Sequence, residues 1–153
     1  MSTASVDAEA GRAGPGIDPR GPRFGAALTT LVLAITLLTG SSWLLAAQVL
    51  IFAPGSLLGV SRSPYGYLFA ALIRPRLAPS GEREDPAPPR FAQTVGLAVT
   101  GVGLVLALAG VGAAVEVSAA LALIAAFLNA AFGLCLGCEL YLVLARLRGA
   151  PAS

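Results

Sequence analysis

Two cysteines stand three residues apart in the stretch Phe132-Gly-Leu-Cys135-Leu-Gly-Cys138-Glu139, within a run that is otherwise apolar. On a helix this spacing puts both thiols on one face, near enough to form a disulfide, share an oxidant or hold one side of a soft metal. Gly133 and Gly137 bare the backbone around the sulfurs and leave room for a partner. Glu139 lies four residues after Cys135, within reach of its sulfur along a helix surface, where it would accept the thiol's proton during exchange. Cysteine is also a small apolar filler of membrane helices. A pair at this spacing between glycines reads instead as a redox or sulfur-handling dithiol.

The rest of the composition narrows the chemistry. The chain has 153 residues, no His and no Lys, so neither a Ser-His-Asp triad nor a Cys2His2 zinc site can be built from one copy. Two thiolates and one carboxylate leave a tetrahedral metal site incomplete, and no metal is expected. The net charge of +2 rests on arginine alone. Those arginines scatter among loops without the basic face that nucleic-acid binding requires.

With 56% apolar residues, in runs too long for a soluble core of this size, the chain reads as a membrane protein. The expected fold is all-α, a polytopic bundle of four transmembrane helices at about residues 22–39, 43–60, 91–114 and 118–144, within a domain spanning 18–146. Residues 1–17 read as a disordered tail and 147–153 as a C-terminal tail. Pro54-Gly55 should kink or end the second helix near Phe52. In the central loop, Tyr65 to Ile73 is aromatic and apolar between Pro64 and Pro75, and is expected to form a short interfacial helix. A stripe of small residues, Ala92, Gly96, Thr100, Gly103, Ala107 and Gly110, marks a packing face on the third span, and such faces also suit a homo-oligomer. Gln48 and Asn129 are amides within spans, of the kind that bond between helices.

All ten arginines lie in the N-terminal tail and its entry to the first span, in the 61–90 loop or after Ala145. The connections at 39–42 and 111–117 have none, which places both ends and the long loop in the cytoplasm. A cleaved secretory signal ending near Thr39 to Ser42 is the rival reading, but it would put the next span's arginines on the wrong side. The thiols then sit at the cytoplasmic edge of the last helix, in its C-terminal half, where the macrodipole offers a thiolate nothing. Arg23 and Arg90 open the first and third spans at about that depth and are the candidates for stabilising a thiolate or an anion. As cations at helix N-termini they oppose the dipole, so something other than helix stability must place them. Pro22-Arg23-Phe24 and Pro89-Arg90-Phe91 also suggest two parallel two-helix units.

Asp18-Pro-Arg20-x-x-Arg23-Phe24, Ser63-Pro64, Arg74-Pro75-Arg76, Pro89-Arg90-Phe91-Ala92-Gln93 and Phe-Gly-Leu-Cys135-Leu-Gly-Cys138 together resemble the bacterial integral-membrane family known as domain of unknown function 4395. The resemblance covers residues 18 to about 145 and implies a small inner-membrane protein often encoded near thioredoxin-like and rhodanese-type sulfurtransferase proteins. It carries over Asp18, Arg20, Arg23, Arg90, Gln93, Cys135 and Cys138 as the positions that matter.

The expected function is thiol–disulfide or sulfane-sulfur transfer at the cytoplasmic face with such a soluble partner. An electron carrier so placed would have a membrane quinone as its other partner, although no residue type in the sequence specifies a quinone pocket. The alternative is a non-catalytic membrane anchor, or a small transport subunit for a soluble partner or a sulfur-containing anion.

Overall fold

The computed structural model describes residues 16–149. Nearly all of the expected N-terminal tail, and the last residues of the C-terminal one, lie outside these. The described residues are helical apart from their connections and one isolated bridge between Ile17 and Glu84. Six α-helices follow in order: α1 (Arg20–Thr39), α2 (Ser42–Leu58), α3 (Pro64–Leu68), α4 (Ala87–Leu108), α5 (Ala114–Phe132) and α6 (Leu136–Leu147). Three of them, α1, α4 and α5, are long and apolar enough to cross a membrane, and α2 is a shorter apolar helix of 17 residues. Large apolar side chains such as Leu38, Trp43, Leu50 and Leu108 stay exposed on the outside of the bundle. On a chain this small, so much exposed apolar surface marks a membrane-associated protein.

Turn chemistry sets the helix ends. Gly40 closes α1 in the left-handed region, its N–H donating to Thr36 O, and Ser41 then caps α2 by accepting from the N–H of Leu44. Pro88 and Pro89 occupy the first turn of α4, where their missing donors cost nothing. That helix stops at Leu108 rather than near 114, because Gly110 at φ 88° turns the chain, and α5 starts at Ala114, earlier than the apolar pattern implies.

Pro54 does not end α2, which runs on to Leu58. The proline forfeits one hydrogen bond, and packing on α4 holds both sides of it. The Phe52 ring lies where a Cβ on Gly96 would be, and Gln93 fills the space a Cβ on Gly55 would take. The small stripe on α4 works as a packing face elsewhere too, with Thr100 fully buried and Gly103 directly against Ser118 of α5. Farther from the site, Leu33, Leu45, Val115 and Ala119 form the apolar core.

Helix α1 packs mainly on α5 and α2 on α4, each pair antiparallel, so residues 16–23, 56–90 and 130–138 all gather at one end of the bundle. Here the two misplaced cations find their reason. Arg90 donates from Nε to Ser56 O and from Nη2 to Leu57 O, both at 2.8 Å, and Arg23 donates from Nη2 to Ala130 O at 3.4 Å. Each guanidinium sits at the start of its own helix but serves the last carbonyls of its antiparallel neighbour, where the dipole favours a cation.

The same equivalence extends through both halves. After α2, Gly59 at φ 104° precedes Ser63, whose Oγ accepts from the N–H of Gly66 to cap α3. After α5, Gly133 at φ 70° precedes Cys135, whose Sγ accepts from the N–H of Cys138 to cap α6. Two residues past each cap the chain touches the opening helix, Tyr65 at Gly25 and Gly137 at Ala92. Six residues past each cap an aromatic stacks, Phe69 on Phe24 at 5.8 Å and Tyr141 on Phe91 at 5.7 Å. The two halves are thus parallel repeats of one unit, helix–helix–capped helix, as the paired Pro-Arg-Phe motifs suggest. The first repeat carries Ser63 and Gly66 where the second carries the two cysteines.

The central segment is more tightly integrated than an isolated surface helix. It runs on from α3 through a π-helical turn, Phe69–Ile73, and a 3-10 turn, Arg74–Arg76. Phe69 is buried, and Tyr65 Oη donates to Gln48 Oε1 at 3.1 Å. Gln48 is fully buried and its Nε2 donates to Thr29 Oγ1 at 3.4 Å, so this amide does bond between helices.

Candidate functional site

The last apolar run is not one helix. Gly133 ends α5 with its N–H on Asn129 O, the Leu134 N–H reaches Leu128 O, and α6 then starts afresh with Cys135 as its N-cap. This corrects the reading of 118–144 as a single span with the thiols in its C-terminal half. The cysteines lie instead at a helix N-terminus, where free backbone N–H groups and the positive end of the dipole favour a sulfur anion. A Gly in the left-handed region followed two residues later by a cap residue is a legible signal, obscured here because sulfur is an unusual cap. Gly133→Ala should therefore destabilise the break by about 1–2 kcal/mol, the cost of a Cβ in that region. Thermal unfolding in detergent would read it, and an unchanged midpoint would count against this role.

Cys135 and Cys138 are joined in a disulfide, their Cα atoms 5.1 Å apart. Both line a cavity of about 450 Å³ at the loop end of the bundle, to which Arg23, Glu82, Arg83 and Glu84 bring charge. Of the sequence candidates, this brings Arg23 to the cysteines and leaves Arg90 at the end of α2, away from the cavity. Glu139 is exposed and lines neither this cavity nor the apolar one behind it. Glu84 stands in the cavity wall instead. Partial burial raises its carboxyl above the ordinary glutamate range, and neighbouring Asp85 adds to the effect.

Sequence reasoning missed Glu84 because its approach depends on a long-range pairing. Ile17 and Glu84 exchange two backbone hydrogen bonds of 2.9 Å, which draws the charged loop over the cysteines. A buried Asp18 fixes that strap. It holds the Arg20 guanidinium through Nε and Nη2, accepts from the Arg20 N–H at 3.0 Å, and Arg20 Nη2 also reaches Ala78 O at 3.1 Å.

The Arg20 hydrogen bonds hold the Asp18 carboxyl below the ordinary aspartate range, against the effect of its burial. A folded-state pKa below the unfolded one stabilises the strap above the unfolded value of about 3.9 and loses that contribution as pH falls through the folded value. Protection factors at the Ile17 and Glu84 amides, taken relative to the intrinsic exchange rate at each pH, should accordingly fall several-fold in acid. Asp18→Asn should show fast exchange already at neutral pH, and slow exchange there would refute the tie.

A family model described as a domain of unknown function (DUF4395) matches residues 17–146. The chain belongs to this family. No curated protein and no solved structure matches it. The matched stretch opens at Ile17 and closes within α6, so the DUF4395 unit includes the strap, the loop it holds and the helix that the cysteines cap.

Proposed function

We propose that this DUF4395 protein is a membrane thiol–disulfide exchanger that meets a soluble dithiol partner, of thioredoxin-like or sulfurtransferase type, on the cytoplasmic side of a bacterial inner membrane. The observation that carries the reading is the disulfide at the N-cap of α6, opening on a cavity that also holds a guanidinium and a carboxyl. In this reading α2 crosses as a fourth span. Its 17 residues reach about 26 Å, short of a ~30 Å core, which local thinning accommodates. The segment from Pro64 to Arg76 lies at the interface, with Tyr67 and Leu72 facing outward. The arginine-bearing end of the bundle faces the cytoplasm, and the far end, with Glu116 and no arginine, faces away from it.

Exchange starts when a partner thiolate attacks Cys135, forming a mixed disulfide and expelling Cys138 as a thiolate. The partner's second thiol then attacks its own bridged sulfur, closing the partner disulfide and releasing Cys135 as a thiolate at the helix N-terminus. The partner loses two electrons and two protons, and the two cysteines of this chain gain them. Arg23 draws the incoming thiolate, and Glu84 passes a proton to Cys138.

The test uses the purified full chain in nanodiscs, mixed with a reduced thioredoxin-type protein and read by mass-tag alkylation. Reduction of the Cys135–Cys138 bond with matching oxidation of the partner is expected. No exchange, with the disulfide still open to dithiothreitol, would overturn the proposal in favour of an anchor for a soluble partner.

A further inference from the structure

Behind the cysteines, on the membrane side, lies a second, half-open cavity of about 260 Å³ between α1, α2, α4, α5 and α6. Small residues hollow it out, among them Ala92, Gly96 and Ala126, and its wall is largely apolar. Cys135 lines this cavity as well as the charged one, so one residue of the disulfide borders both chambers. Two carboxamides, Gln93 from α4 and Asn129 from α5, also stand in the wall. Both are half-buried, among the described residues neither side chain has a hydrogen-bond partner, and Asn129 borders the charged cavity as well. Gln48 shows what an amide in this bundle does when its role is only to join helices, since both its oxygen and its nitrogen are engaged. Unpaired donors in the wall of an apolar hollow, one of them at its border with the charged cavity, are suited to a ligand that brings its own acceptors.

We infer that this cavity takes the ring of a lipid-soluble quinone, and that the quinone is the second redox partner of the dithiol. A flat apolar ring with two carbonyl oxygens matches an apolar chamber with two carboxamide donors. A tail leaving through the open side would stay in the bilayer. The stoichiometry closes without a further reactant. The reduced Cys135–Cys138 pair gives two electrons and two protons to the quinone, the sulfurs join in a disulfide, and both quinone oxygens become hydroxyls. A free acyl chain would use the apolar wall but neither amide.

The inference rests on the proposed dithiol function, and the experiment separates the two. The chain is reduced in nanodiscs and offered either decylubiquinone or the water-soluble oxidant diamide, with disulfide formation followed by mass tags and quinol formation by absorbance. Wild type should be oxidised by both, with one quinol formed per disulfide, and an isoprenoid alcohol without the quinone ring should do nothing. Gln93→Leu with Asn129→Leu, and separately the cavity-filling Ala126→Phe, should slow the quinone reaction tenfold or more and leave the diamide reaction unchanged. Oxidation by diamide alone would overturn the quinone site and leave the exchange reading standing. Quinone rates equal in wild type and both variants would place the reaction outside the cavity and likewise overturn the inference. A pair that neither oxidant closes would contradict the dithiol function itself.

Discussion

Offered the proposed soluble partner in its disulfide form, Cys138→Ser should accumulate a mixed disulfide, because the Cys135 thiolate attacks the partner's disulfide and no second thiol of this chain resolves the adduct, while turnover falls at least about a hundredfold. The asymmetry follows from where the two sulfurs sit. Cys135 caps α6 and accepts from the N–H of Cys138, so its thiolate has the helix N-terminus to itself, and Cys138 lies one turn farther in, placed to leave when a partner attacks Cys135 and to resolve the adduct when exchange runs in reverse. Cys135→Ser should lose turnover to the same extent without the adduct, since serine keeps the cap but removes the sulfur through which exchange passes in either direction. Both outcomes are read on non-reducing gels after acid trapping. Adducts of equal yield from the two variants would refute the assigned order of attack.

Gly137→Val is expected to have the largest effect of any change that leaves every charged and sulfur-bearing group in place. A Cβ at Gly137 would fall 2.6 Å from Ala92 Cα, against backbone that cannot swing aside, so α6 must lift from α4. Overpacking of this kind costs about 1–3 kcal/mol. Loss of the Tyr141–Phe91 stack at 5.7 Å would add about 1 kcal/mol. Because α6 carries the cysteines and walls both cavities, thiol exchange should fall by tenfold or more while α1, α2, α4 and α5 keep their packing. Hydrogen exchange would separate the two, with α6 amides unprotected and α5 amides as in wild type. Full protection of α6 in the variant would show that the close approach at Ala92 is not needed to dock it.

Much of the frame is legible in the residue pattern. The apolar runs, the small stripe on α4 and the paired Pro-Arg-Phe motifs yield the helices, their packing face and the repeat, because each depends on local spacing. What the pattern hides is set by contacts distant in sequence. Pro54 reads as a breaker, yet Phe52 on Gly96 and Gln93 on Gly55 keep the helix intact across it. Arg23 and Arg90 look misplaced against their own helix dipoles, and make sense only once the carbonyls of Ala130, Ser56 and Leu57 are seen beside them. Glu139 is the nearest carboxylate in sequence, but the Ile17–Glu84 bridge brings Glu84 to the cavity in its place. The break at Gly133 lies between these cases. Its signal is local, but an unbroken apolar run outweighs one glycine until the cap at Cys135 is recognised.

The measurement that bears most directly on the proposed working dithiol at the cytoplasmic face is acid-trapped mass-tag alkylation of Cys135 and Cys138 in spheroplasts and in inverted membrane vesicles, with and without prior reduction. The account predicts a membrane-impermeant tag added only in inverted vesicles, and an oxidised fraction that shrinks when a thiol reductant is supplied. Thiols that are always reduced and take no tag from either side would make the pair a packing feature, and the exchange function would fall.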